Sequence, residues 1–399
     1  MKRTEILFLA CVLAMAALFG GRTLSETVRA MGWEEGEAAP AGTAGRPRDV
    51  DMEKLDRLTR EGLLSDREAL YYRKLAAPAA GPAQGDFTTV RKFQVMGTEA
   101  EVTVLLPAAR MGAESGLLEA AEGALRRADA LLSDHDEGAE IFRLNAAAAG
   151  DVRLSEPARR VLGASRRFHR QTGGAFDVTC GPLVERWRRA GRENRLPDPA
   201  GLGEARARSN WDLLELTAEG VVKKGEGVRV DLGGIAKGYG VDRAIEEVRI
   251  AGAEGAMVNA GGDLRVFGRS PGGGPWRVAV RHPFKPETVC ARLAVSSGAV
   301  CTSGNYLRFA EIEGRRYSHI LDPRTGRPAD AASSVTVAAP EAMTADAWAT
   351  ALSVLGPAGL ELLPAGEGIE ALIISGSPES PRVDMTPGFR DLLASGPDF

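Results

Sequence analysis

The chain has 399 residues, 44% of them hydrophobic and 26% charged, with a net charge of −4. That length allows one large domain or two moderate ones, and the composition is ordinary for a globular protein with a sizeable core. The mildly negative balance supplies no global basic field, so nucleic acid is not an expected partner.

In chain order, Lys2 and Arg3 come first, ahead of an apolar run from Ile6 to Gly20. This charged-then-apolar pattern reads as a signal peptide or membrane anchor over 1–20. The run is short against the ~20 residues of a full span, so cleavage and anchoring both stay open. Lipidation at Cys11 fits less well, because Phe8 stands where a lipoprotein signal has Leu. Each reading exports the rest of the chain, and the anchor and lipidation readings hold it to the membrane through the N-terminus. Residues 21–86 read as linker and short helical stalk. Gly, Ala, Pro and charge fill 21–48, and Leu55, Leu58, Leu63, Leu64, Leu70 and Leu75 recur at near-helical spacing over 50–76.

The main domain is predicted over 87–399. Alternating Val90, Phe93, Val95, Val102 and Val104 predict a strand within 90–106. A helix follows at 112–132, with Leu117, Leu118, Ala121, Leu125, Ala128 and Leu132 on one face. Ser155, Glu156 and Pro157 mark the start of another, 155–171. Beyond Asn210, short β-rich segments alternate with helical stretches at 236–251 and 341–355. No solenoid repeat or strict βαβ rhythm is visible, which favours an α+β fold. Cys11, Cys180, Cys290 and Cys301 form no CxxC pair, so zinc and redox motifs are absent. Buried thiols are the simple reading of the last three, with a Cys290–Cys301 bridge across a hairpin left open.

Four segments carry candidate chemistry. Asp231-Leu-Gly-Gly-Ile-Ala-Lys237 joins a strand to a helix through adjacent glycines, which makes an anion seat with Lys237 as a point charge. It is neither a Walker loop nor a dinucleotide fingerprint, because both spacings fail. Asn259 and Asp263 flank a second glycine pair. His319 stands before the Asp322-Pro-Arg-Thr-Gly326 turn, a position suited to proton transfer. Asp346 and Thr350 lie four apart on a helical stretch, so one face offers hard oxygen ligands for Mg²⁺.

With Met96-Gly-Thr98, Glu140 through Asn145, Gly174 through Thr179 and Thr302 through Tyr306, these blocks run in an order that resembles the FAD:protein FMN transferase family, the ApbE-type flavin transferases. The resemblance covers about residues 90 to 375. It implies a two-subdomain flavin-transferase fold of mixed sheets and helices, with the FAD site between lobes. It implies Mg²⁺ held by Asp346, Thr350 and the Gly234 carbonyl, transfer that needs His319, and Lys237 and Asp231 at the nucleotide. Met96, Glu140, Asp177 and Thr179 become flavin-side contacts, with Asn259 and Thr302 added. FAD is then the substrate, and the partner is an acceptor flavoprotein subunit of a membrane redox complex or an exported electron-transfer protein, met on the periplasmic side of a bacterial inner membrane. The sequence departs from the family at His135, where an aromatic residue is common, and at Ala139, where Ser is. Those departures keep FAD pyrophosphatase activity, giving free FMN and AMP, as an alternative. A non-catalytic exported FAD-binding protein is the alternative from another class.

Overall fold

The computed structural model describes residues 86–304 and 309–397. The expected signal or anchor, the helical stalk and the Asn305-Tyr306 pair therefore lie outside the described residues. Those described belong to the unit that runs from residue 80 to the C-terminus.

A sheet of eight antiparallel strands organises this unit. Its order across the sheet is Phe87–Val95, Thr98–Leu106, Gly255–Ala260, Asp263–Gly268, Gly298–Gly304, Ser334–Ala339, Glu370–Ser377 and Ser380–Met385. Side chains alternate between faces along each strand. Val102 stands opposite Val258, and both point into one core with Val335, Val337 and Ile373. Val266, Val300, Ala338, Leu372 and Ile374 point the other way, onto a three-stranded sheet built from Trp276–Arg281, Val289–Val295 and Leu393–Ser395. Ser334–Ala339 is buried along its whole length because both its faces are covered.

Helices cover the first face. Glu114–Leu132 packs against Ala236–Ile250, which packs in turn against Ala342–Leu355. A Cβ on Gly238 would strike the Ala342 carbonyl, so glycine there lets the last two helices approach closely. A satellite core gathers Leu183, Trp187 and Ala190 of helix Gly181–Glu193 with Ala205, Ile312 and Leu321. Among the described residues, no helix is long and apolar enough to cross a membrane.

The single strand expected within 90–106 is a hairpin, turned at Met96 and Gly97. Both turn residues take left-handed backbone angles, with φ of 52° at Met96 and 66° at Gly97. Only Gly97 signals that turn in sequence, so the run reads as continuous. Helices Gly181–Glu193 and Pro199–Arg208 have no counterpart in the sequence expectations, nor do the shorter Glu140–Ala146 and Pro387–Asp391. The first is so rich in Arg and Glu that its narrow apolar stripe is masked. Cys180, Cys290 and Cys301 are free thiols. Cys290 donates towards the Val280 and Arg281 carbonyls, and Cys301 donates to Ala342, so the bridge left open does not form.

Candidate functional site

The turn and helix read at 231–238 exist, but the lead-in through Val228 and Val230 is not a strand of a sheet and makes only one isolated bridge, Arg229 to Cys180. Three elements meet around the turn. Val230 enters clamped at both backbone groups by Asn145, whose Oδ1 accepts from Val230 N–H at 2.6 Å while Nδ2 donates to its carbonyl at 2.8 Å. Lys223, buried, donates to the Leu144 and Ala147 carbonyls at 3.0 and 2.6 Å, closing the end of the helix that bears Asn145. Asp231 Oδ1 then accepts from Gly233 N–H at 2.8 Å, which fixes the glycine turn.

Helix Ala236–Ile250 starts there and brings Lys237 to Asp263. Asp263 is 2% exposed and lies on the helix side of the sheet. A buried carboxylate of this kind requires a cation, and Lys237 provides it. The same ammonium lies 3.9 Å from Asp346 Oδ1. Asp346, also 2% exposed, accepts from Gly238 N–H at 3.0 Å. Burial pushes its carboxyl up, and Lys237 and that amide pull it back.

Thr350 completes the cluster. A Cβ placed on Gly234 would lie 2.8 Å from Thr350 Oγ1, so the Gly234 backbone sits directly against that hydroxyl. A carboxylate, a hydroxyl and a peptide backbone thus converge where the two helices meet. Among the described residues no three His, Cys, Asp or Glu side chains form a metal site. The oxygen-rich set at Asp346, Thr350 and Gly234 is instead one that suits a hard cation such as Mg²⁺.

The helix carrying Asp346 and Thr350 is capped from outside. Glu341 makes no side-chain cap. Asp242, from the neighbouring helix, accepts from Ala342 and Met343 N–H at 2.8 and 2.9 Å. Its carboxylate also receives Arg265 at 2.9 Å. Burial pushes the Asp242 carboxyl up to about 6, against the pull of Arg265 and the two amides.

A cleft of about 210 Å³ opens beside Asp231, with Asp134, His135, Asn145 and Arg188 in its walls. Asp231 pairs with Arg188 at 3.3 Å. Residues 177–180 run alongside, joined by Asp231 N–H to the Val178 carbonyl at 2.8 Å. Asp177 Oδ1 accepts from Thr179 N–H and Oγ1, each at 2.7 Å, and Oδ2 lies 3.3 Å from His169. The turn after His319 abuts this segment, because a Cβ on Gly174 would sit 3.7 Å from Arg324 Cγ. That turn is closed by Gly326 N–H to the Asp322 carbonyl at 2.8 Å and held by Trp187 Nε1 to the Gly326 carbonyl at 2.9 Å. His319 itself is exposed, just beyond strand Arg315–Ser318.

The remaining sequence candidates have other engagements. Glu140 accepts from Ser155 N–H at 2.8 Å. Met96 donates its N–H to Asp129 at 2.9 Å, and its sulfur lies near Gly240. Asn259 accepts from Gly262 N–H within its hairpin, and Thr302 shares a hydrogen bond with Thr336. Strand alternation turns Asn259 and Thr302 to the face opposite Val258 and Cys301. The structure thus gathers Lys237, Asp346, Thr350 and Gly234 closely, with Asp231 at the cleft next to them. Asp263 and Asn145 enter the sequence expectations only as members of their motif blocks, with no role assigned, and Asp242 and Arg188 do not enter them as candidates. The glycine pair before Asp263 was a signal for that residue, whereas the partners of the other three are visible only in three dimensions.

Comparison with known proteins places these features in context. The model of the ApbE family matches residues 96–373. The FAD:protein FMN transferase of Escherichia coli is 31% identical over 316 residues, covering 77% of this chain and 90% of the relative. Among solved structures, the flavin transferase ApbE of Vibrio cholerae superposes with a TM-score of 0.70 at 29% identity, over 77% of this chain and 100% of that one. The ApbE protein of Thermotoga maritima gives 0.69 at 31% identity, with the same coverage.

Proposed function

The chain belongs to the ApbE family and is an enzyme that transfers FMN from FAD to protein, and from that premise we propose that it joins FMN to a Ser or Thr hydroxyl of an acceptor flavoprotein, releases AMP and depends on Mg²⁺. The observation that carries this reading is the meeting of Asp346, Thr350 and the Gly234 backbone beside the Lys237–Asp263 pair.

The acceptor oxygen attacks the FMN-side phosphorus, the bond to the AMP phosphate breaks, and AMP leaves with that bond's electrons. Phosphoryl transfer of this kind depends on positioning and charge neutralisation more than on covalent chemistry by the enzyme. Bound at Asp346, Thr350 and Gly234, Mg²⁺ would offset negative charge on the pyrophosphate oxygens. Lys237, in the first turn of helix Ala236–Ile250, adds positive charge there. His319, exposed before its turn, takes the proton of the attacking hydroxyl. Asp231 serves the nucleotide side, and Met96, Glu140, Asp177 and Thr179, with Asn259 and Thr302, serve the flavin side.

The work takes place outside the cytoplasm, on the periplasmic face of a bacterial inner membrane. Lys2, Arg3 and the following apolar run support that location and an N-terminal link to the membrane. Acceptors are then flavoprotein subunits of membrane redox complexes or exported electron-transfer proteins.

Incubation with FAD, Mg²⁺ and a flavin-acceptor domain, read by in-gel flavin fluorescence and by free FMN, tests the chemistry. Covalent fluorescence is expected, abolished by EDTA and restored by Mg²⁺. The His319→Asn variant should bind FAD normally and transfer at least about 100-fold more slowly. Free FMN without a labelled acceptor would favour hydrolysis. Wild-type transfer by the variant would remove His319 from the reaction.

A further inference from the structure

Helix Gly181–Glu193 presents Glu185, Arg188 and Arg192 three and four residues apart, so they share one face, and all three line the cleft beside Asp231. Arg188 reaches over with both ends of its guanidinium. Nη1 lies 3.5 Å from Asp134 Oδ2, and Nη2 lies 3.3 Å from Asp231 Oδ2. The two carboxylates come from segments remote in sequence, and both are part-buried, at 23% and 13% side-chain exposure. Burial raises the Asp231 carboxyl, Asp134 raises it further, and Arg188 opposes both. Asp231 also holds Gly233 N–H, so what Arg188 fixes is passed on to the turn that presents Gly234. FAD brings a pyrophosphate anion to this turn. Two uncompensated carboxylates beside it would repel that anion.

We propose that Arg188 is a positioning residue for FAD, which bridges Asp134 and Asp231, steadies the Asp231–Gly234 turn and cancels the negative charge those carboxylates would present to the dinucleotide. The proposal rests on the FAD-dependent reading above and adds a residue outside the metal seat. It also explains why an arginine suits this place. The planar fork aims two separate nitrogens, Nη1 and Nη2, at two acceptors in a fixed geometry. Trp187, its neighbour on the helix, holds the turn after His319. A single helix therefore ties the cleft wall to the turn that follows the candidate base.

The test is FAD affinity of the full-length protein, measured by quenching of flavin fluorescence at low salt, for wild type, R188A, D134N and D134N/R188A. R188A should raise the FAD Kd by about three- to tenfold. D134N/R188A should recover most of that loss, because removing one carboxylate removes the repulsion. Added NaCl should narrow the R188A defect. With saturating FAD, transfer by R188A should slow less than its KM rises. The matched pair R188Q and D134N/R188Q gives the same comparison if the alanine variant does not fold. An unchanged Kd in R188A overturns the proposal, and so does a double variant as weak as R188A, which would mean direct contact or a merely structural role. A wild-type protein that binds no FAD would overturn the transferase reading and this proposal together.

Discussion

Gly234 and Thr350 meet with no room between them. Any side chain at 234 would push the hydroxyl away from the backbone it faces, since even an added Cβ lies 2.8 Å from Oγ1 and 3.1 Å from Cγ2. Gly234→Ala should therefore leave a folded protein whose Mg²⁺ requirement rises and whose transfer rate falls by about tenfold or more. Titration of activity with Mg²⁺ checks this, and a wild-type titration curve would detach Thr350 and Gly234 from the metal. Lys237 illustrates how context refines a residue's role. Sequence presents it as a free point charge for phosphate, but its first partner is the buried Asp263. Removing the ammonium would strand that carboxylate, so a loss of function at Lys237 has a folding component as well as a catalytic one.

Helix Ala342–Leu355 is an element whose beginning belongs to another helix. Asp242 supplies the acceptors that its first amides need and is held by Arg265. Since Asp346 and Thr350 ride on that helix, its seating sets the geometry of the candidate metal ligands. Asp242 should also leave a signature in pH. Its folded value near 6 lies above the ordinary 3.8. Above pH ~6 the folded protein carries a buried carboxylate at a cost. As pH falls through 6 towards 3.8, the folded state takes up a proton that the unfolded chain does not yet bind, so this group's contribution to stability rises. Asp242→Asn should flatten that part of the pH profile between about pH 7 and 4. Thermal melts of the two proteins across the range check it, and parallel profiles would assign the pH dependence to other groups.

For the whole molecule, the eight-stranded sheet starts at Phe87, and the family match begins at residue 96. All packing described above is made within residues 86–397. A chain beginning at residue 87 should then fold alone and modify a soluble acceptor with a rate constant within about twofold of the full protein. Loss of activity with a soluble acceptor would assign the removed residues 1–86 a part in the reaction.

Much was legible along the chain because it follows from local physics. Amphipathic spacing marked helices within a residue or two of Glu114–Leu132, Glu156–Gln171, Ala236–Ile250 and Ala342–Leu355. Helical geometry put Asp346 and Thr350 on one face, and adjacent glycines marked the turn before Lys237. Those features need only neighbours a few residues away. The pairs Lys237–Asp263, Asp242–Arg265, Asn145–Val230 and Arg188 with Asp134 and Asp231 could not be read this way. Each joins segments that the sheet and its helices bring together, and a buried charge or backbone group accepts whichever partner the packing places within reach. The sequence alone therefore determined the reactive residue types and the turns that hold them. Tertiary structure decided which charges neutralise one another, because long-range proximity is a property of packing and leaves no local periodic trace.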